Sequence, residues 1–306
     1  MKTAPIQINE FSESVLAVPP LARRADFSLD VSQNHKLIRH IEAGGFRTLL
    51  YGGNANLYHM PSSEYGQLLE LLDAGAANDT RVIPAIGPDF GKMMDQAQIL
   101  RGTGFRTAMV LPMQGFTTSD GVASGISRFV DSADIPVTLY IKSEQYIDIE
   151  TLGRLVDEGR IIAVKYAVVR ENPTEDPYLQ ALVDRITPAR VVSGMGERPA
   201  LVHLRKFGLA SFTTGSGCIA PKSCMALLQA AKQGDMIRAQ TLYDRFMPME
   251  TLRDSISLIR VLHDAVTLSG VADMGAHLPL LSASPADRLQ EIQTTARTLL
   301  ACEQDI

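Results

Sequence analysis

The residues best suited to chemistry in this 306-residue chain lie in the run Arg160-Ile-Ile-Ala-Val-Lys-Tyr166, where apolar, mostly β-branched residues lead into one lysine. Ile161, Ile162 and Val164 favour an extended, buried strand. A lysine ending such a run sets a problem, because an ammonium buried without a partner is very costly. Two solutions are open to Lys165. Its side chain can reach water or an acid, or its pKa can fall until it is a neutral amine. A neutral amine is a nucleophile that forms a Schiff base with a carbonyl compound. Tyr140, 25 residues earlier, ends a similar run, Pro136-Val-Thr-Leu-Tyr140. A phenol beside such an amine can shuttle protons to a carbinolamine and to a leaving alkoxide. The ordinary alternative is a packing tyrosine with a satisfied hydroxyl.

These two residues need a frame that brings strand ends together. Eight short apolar runs recur: Ser14–Val18, Arg47–Tyr51, Val82–Ile86, Thr107–Leu111, Pro136–Tyr140, Ile161–Lys165, Arg190–Ser193 and Ala210–Thr214. Amphipathic stretches separate them, at Gln33–Ala43, Glu64–Ala77, Gly91–Gly102, Gly121–Ser132, Ile149–Gly159, Pro177–Ile186 and Pro199–Phe207. Alternating strands and helices pair in parallel through right-handed crossovers. Eight such units predict an α/β fold, a (β/α)8 TIM barrel. An open doubly wound sheet lacks support, since no GxGxxG follows the first strand. From Pro221 the pattern is helical only, with candidates at Lys222–Gln233, Asp235–Phe246, Glu250–Ser269 and Pro285–Cys302. The expected division is a barrel over residues 1–220 and a C-terminal helical extension over 221–306. Ser284-Pro285 reads as a helix start with proline at the first helical position.

In such a barrel, reactive groups gather at the carboxyl ends of the strands. Gly52-Gly53-Asn54 follows the second run, Pro112-Met113-Gln114 the fourth, Gly194-Met195-Gly196-Glu197 the seventh and Gly215-Ser216-Gly217 the eighth. Glycines there allow tight turns and a close approach of N–H donors to a ligand, although any barrel needs turn glycines. Gly52, Gly53, Asn54, Gln114, Gly194 and Gly215 are therefore the candidate substrate-binding residues. Glu197-Arg198 reads as an intramolecular ion pair, Arg23-Arg24 as a solvated loop, Cys218 as a small buried residue, and Met247 and Met249 as helix packing.

Composition narrows the class. The chain is 45% apolar with a formal net charge of -5, and its pI is about 5.7. That argues for a packed core and against a nucleic-acid partner, which calls for a basic surplus. Three cysteines without CxxC fit a reducing compartment. Six scattered histidines show no HExxH or HxH spacing, so no metal site is expected. No apolar run approaches the roughly 18 residues that cross a bilayer, and Met1 to Glu13 lacks a signal-peptide core. The expectation is a cytoplasmic protein with no membrane partner.

The chain resembles the dihydrodipicolinate synthase / N-acetylneuraminate lyase family of class I aldolases and dehydratases. The likeness rests on Pro136-Val-Thr-Leu-Tyr140 before Ile161-Ile-Ala-Val-Lys165, on Ser193-Gly194, Ile219-Ala-Pro221, Gly234-Asp235 and Ala239, and on Ser28-Leu29-Asp30. It implies Lys165 as the Schiff-base lysine and Tyr140 as the proton-relay phenol. It further implies a 2-keto acid substrate such as pyruvate, no cofactor beyond the covalent Schiff base, and a homo-oligomer, tetramer or dimer. Three departures are evident. Gly52-Gly53-Asn54-Ala55-Asn56 stands where the family has Gly-Thr-Thr-Gly-Glu, Pro112-Met113-Gln114-Gly115 lacks the synthases' tyrosine, and Ile141-Lys-Ser-Glu-Gln145 lacks their carboxylate-gripping arginine. An Arg–carboxylate pair is bidentate, and glutamine does not replace it. Synthase activity in lysine biosynthesis is therefore not expected. A non-catalytic keto-acid or sugar-acid binding barrel is the alternative, and a phosphate site at Gly215-Ser216-Gly217 is a weaker one.

Overall fold

A computed structural model describes residues 1–306. After a short helix α1 (Glu10–Glu13) the chain alternates: β1 (Leu16–Ala17), α2 (Val31–Ala43), β2 (Thr48–Tyr51), α3 (Tyr65–Gly75), β3 (Arg81–Ile86) and α4 (Phe90–Leu100). It continues with β4 (Ala108–Val110), α5 (Ser119–Ala133), β5 (Val137–Ile141), α6 (Ile149–Asp157), β6 (Ile161–Tyr166) and α7 (Pro177–Ile186). Then come β7 (Val191–Ser193), α8 (Ala200–Phe207), β8 (Ser211–Thr214) and α9 (Pro221–Gln233). Three helices end it: α10 (Met236–Ser255), α11 (Leu258–Ser269) and α12 (Leu289–Ala301). All eight strands are parallel neighbours in sequence order, and β1 pairs with β8 to close the barrel. The predicted (β/α)8 TIM barrel with C-terminal helices is thus the architecture found.

Local chemistry explains where the helices start. Asp30, Asp89, Thr118, Asp148 and Asp176 each cap a barrel helix by accepting a hydrogen bond from a first-turn N–H. Every residue of β2, β3, β4, β7 and β8 is buried, as strands walled by helices on one side and by the barrel interior on the other must be. At the amino ends of the strands, Arg81 donates from Nε and Nη2 to both Glu10 oxygens at 3.1 Å, so α1 is tied beneath the barrel.

The helical region departs from expectation in three places. The helix α9 lies between α8 and α2 and fills the eighth place in the outer ring. The barrel therefore runs to Gln233, and the boundary placed after residue 220 falls one helix early. The break expected near residues 247–249 is absent, because α10 continues through Pro248 to Ser255. Pro248 is exposed, so water can serve the carbonyl that its missing N–H leaves free. Finally, Pro285 precedes a 3-10 turn, Ala286–Arg288, and α12 begins only at Leu289. Met249 is fully buried and Met247 packs against the core, as helix-packing residues do.

Candidate active site

Tyr140 and Lys165 are directly paired in the β5–β6 ladder. The register that pairs them depends on a bulge. Val137 faces Ile161, but Thr138 faces Ala163, so Ile162 is an extra residue. Its carbonyl turns to Arg190 Nη1 at 3.0 Å. Without this bulge Tyr140 would face Val164, and the two functional side chains would leave opposite faces of the barrel wall. With it, both point into the mouth. Lys165 is only 4% exposed, and its Nζ lies 4.0 Å from the centre of the Tyr140 ring. It forms neither an ion pair nor a hydrogen bond with the rest of the protein. Burial, then the charges of Lys142 and Arg253, push its pKa down to about 7. Burial also raises the Tyr140 phenol, which therefore stays protonated.

The two residues open into a cleft of about 640 Å³ at the carboxyl ends of the strands. Gly53, Asn54, Gly194 and Gly215 line it with them. The backbone N–H groups of Gly53 and Asn54 donate to no protein oxygen, so both remain free for a ligand. The N–H of Gly194 is already given to the Tyr166 carbonyl at 2.6 Å. Gly194 instead makes room, since a Cβ there would stand 2.8 Å from Lys165 Cγ. Two candidates lie outside the cleft. Gly52 is buried beneath it, where a Cβ would meet Met109 Cε at 2.6 Å, which makes it a packing glycine. Gln114 sits exposed on the loop after β4 and faces solvent, and Gln145 is exposed in the same way.

Other readings need correction. Glu197 and Arg198 do not pair with each other: Arg198 bridges to Asp254, while Glu197 is fully buried and accepts from the Thr214 hydroxyl. Burial first, and then the charge of Glu250, raise the Glu197 carboxyl. Arg23 is no solvated loop residue. It is 4% exposed and grips Glu64 with two nitrogens at 2.7 and 3.0 Å. Around Gly215-Ser216-Gly217, the Ser216 hydroxyl donates to Glu250 at 2.5 Å and the Gly217 N–H to Thr214 Oγ1 at 2.7 Å. The Ser216 hydroxyl and the Gly217 N–H are thus both taken, and the Glu250 carboxylate lies against this turn, where a phosphate would be repelled. Cys218 is fully buried and its thiol is raised by that burial, in keeping with a packing role. No three His, Cys, Asp or Glu side chains converge to hold a metal ion. No helix is long and apolar enough to cross a membrane.

The wall that sequence reasoning missed comes from the helical tail. Tyr243, Glu250, Arg253 and Asp254 of α10, with Leu258 and Ile259 of α11, line the cleft. Arg253 is 4% exposed, and its Nη1 donates to Glu250 Oε1 at 2.6 Å. The signal was a row of polar residues at helical spacing, Tyr243, Glu250 and Asp254, on a helix otherwise packed against the core. Tyr58, after β2, was also missed. Its ring lies over Gly53, with Cε2 3.7 Å from where a Cβ would stand.

The fold has known counterparts. The sequence matches the dihydrodipicolinate synthetase family over residues 15–298. A 4-hydroxy-tetrahydrodipicolinate synthase of Corynebacterium urealyticum is 23% identical over 281 residues, covering 90% of each chain. A synthase of the same name from Methylobacterium radiotolerans is 25% identical over 244 residues, 74% of this chain and 76% of that one. Among solved structures, dihydrodipicolinate synthase from Bacillus clausii superposes with a TM-score of 0.83 at 18% identity, covering 97% of this chain and 100% of the other. A prophage protein of the same family from E. coli K12, solved in complex with pyruvate, gives a TM-score of 0.80 at 18% identity, covering 94% and 98%. A match running from the first strand to the last helix, on a closed barrel with this topology, makes the chain a member of the dihydrodipicolinate synthetase family.

Proposed function

We propose that this protein is a Schiff-base lyase, an aldolase or a dehydratase, acting on a 2-keto acid such as pyruvate or a keto-deoxy sugar acid. The observation that carries the reading is the Lys165 amine, buried without an acid and set against the Tyr140 ring. Neutral Nζ attacks the ketone carbon, a C–N bond forms, and the carbonyl oxygen takes a proton from the Tyr140 phenol. The new ammonium returns one proton to the phenolate; the carbinolamine hydroxyl then takes that proton up and leaves as water, and the resulting iminium accepts the electron pair of an adjacent breaking bond. The covalent intermediate at Lys165 needs no further cofactor.

The relatives' own reaction is not assigned to this chain. The loop after β4 carries Met113-Gln114, and the helical turn after β5 carries an exposed Gln145, where the synthases have a tyrosine and an arginine. A cleft of about 640 Å³ has room for a substrate longer than pyruvate. By family likeness the reading includes a cytoplasmic homo-oligomer, dimer or tetramer, which sedimentation velocity would test.

Incubation with pyruvate and a panel of longer keto acids, followed by borohydride, tests the chemistry. The expected result is a mass increase of one reduced keto acid, mapped to Lys165. No adduct with any of them, together with keto-acid binding that survives Lys165→Ala, would instead favour a barrel that binds without turnover.

A further inference from the structure

We infer that Arg253, carried into the barrel mouth by α10, holds the carboxylate of the substrate together with the side-chain amide of Asn54, across the bare Cα of Gly215. The inference rests on the keto-acid reading and deepens it, since it adds the group that recognises the acid end. Gly215 has φ −94 and ψ −50, a conformation open to any residue, so the backbone does not require glycine there. Space does. A Cβ at this position would stand 2.7 Å from Arg253 Nη2 and 2.9 Å from Asn54 Nδ2. Glycine stands there because the two nitrogens are packed against its Cα, at one nook of the cleft wall.

Donor accounting shows that both have a hydrogen to spare. Arg253 Nε donates to the Leu258 carbonyl at 3.3 Å and Nη1 to Glu250 at 2.6 Å, while Nη2 donates to no protein atom. An arginine serving only to neutralise Glu250 would face it with two nitrogens. Asn54 Nδ2 gives one hydrogen to the Val18 carbonyl at 2.8 Å and keeps the other. Gly53 and Asn54, whose N–H groups are free, line the same cleft. Arg253 and Asn54 both line the cleft, so their spare hydrogens are within reach of a ligand's acceptor oxygens. Glu250 receives Ser216 and Nη1 on one oxygen, Oε1, and accepts nothing from Nη2. A ligand with a carbonyl at Lys165 and an anionic end in this nook is a keto acid, not a neutral ketone or sugar.

The test uses Gly215→Ala, whose methyl group would stand 2.7 Å from Arg253 Nη2 and 2.9 Å from its Cζ and so pushes the guanidinium off its place, beside Arg253→Gln, which keeps Gly215. Borohydride trapping is measured by intact mass against pyruvate and against its neutral methyl ester. Both variants should need roughly 10- to 100-fold more pyruvate for half-maximal trapping, the loss expected for a charge-assisted hydrogen bond. Because loss of the Arg253 charge also makes Lys165 harder to deprotonate, the effect is read as the ratio of pyruvate to ester half-saturation, which should rise by that factor in both variants. Unchanged half-saturation for pyruvate in Gly215→Ala would overturn the assignment. A second measurement is independent of the Schiff base. In Lys165→Ala protein, pyruvate should raise the unfolding temperature, and adding Gly215→Ala should abolish the rise. Equal shifts in the two proteins, or none in either, would also overturn it. Absent trapping in the parent with these shifts intact would instead count against the Schiff-base reading alone.

Discussion

Replacing Lys165 by methionine should make the protein more stable and inactive, and the gain should depend on pH in a defined way. Burial lowers the Lys165 pKa from 10.5 to about 7. At about 1.4 kcal/mol per pH unit this corresponds to roughly 5 kcal/mol of native-state destabilisation once both folded and unfolded chains are protonated. The sign follows from proton counting. Below about pH 7 both states hold the proton and the whole penalty stands. Between 7 and 10.5 only the unfolded chain holds it, so wild-type stability rises with pH, and above 10.5 the penalty is gone. Methionine carries no charge and is close in shape, with a packing cost below about 1.5 kcal/mol. The variant should therefore exceed the wild type by roughly 3 kcal/mol at pH 6, measured by urea unfolding. The difference should shrink steadily by pH 9.5. Other titrating groups are common to both proteins and cancel in the difference. Equal stability at pH 6, or a gap that does not change with pH, would show that the amine is not held neutral by burial.

Three further outcomes are expected. Lys142→Gln removes a like charge from the surroundings of Lys165, so the acid limb of kcat/KM, near pH 7 in the parent, should move to higher pH; a pH–rate profile that does not move would break the electrostatic link. Tyr140→Phe keeps the ring over Nζ and deletes the proton donor, so turnover should fall by about 10²- to 10⁴-fold while the borohydride adduct still forms. Glu10→Ala strands Arg81, itself only 2% exposed, and should cost roughly 3 to 5 kcal/mol in urea unfolding with kcat and KM unchanged.

The barrel was legible because its signal is local and repeated. The strands are short apolar runs, and five of the barrel helices, α2, α4, α5, α6 and α7, begin with an Asp or Thr cap, so the eight strand positions read from sequence match the structure to within a few residues. Lys165 was legible for the same reason, as a charge where none is expected. Its pairing with Tyr140 was not derivable from spacing alone. It depends on the bulge at Ile162 and on the Arg190 guanidinium that takes the bulged carbonyl, and these are tertiary facts. Arg253 was hidden more deeply. It lies 88 positions after Lys165, on a helix whose expected end was misplaced by Pro248. A residue from a packing helix enters a site only through three-dimensional docking, and no periodicity encodes that. Gln114 failed in the opposite way: its place in the chain matched a family position, but its loop turns the side chain to solvent.

The charges at the mouth are arranged to keep one buried amine without a partner. Arg170 has Glu144 and Asp176, Arg198 has Asp254, and Arg253 has Glu250. Lys165, as buried as Arg253, has none. Guanidinium remains charged wherever it is placed and so requires an acid when buried, whereas an ammonium can shed its proton. The Tyr140 ring at 4.0 Å works against deprotonation, because its face attracts a cation by up to about 2 kcal/mol. That is smaller than the roughly 5 kcal/mol by which the surroundings of Lys165 oppose its charge. With a pKa of about 7 the amine is about half neutral near pH 7, while the same dry surroundings keep the phenol protonated. A neutral nucleophile beside a protonated acid is the starting state that attack on a carbonyl requires. Had a carboxylate been supplied to Nζ, the fold would gain an ion pair and lose its nucleophile.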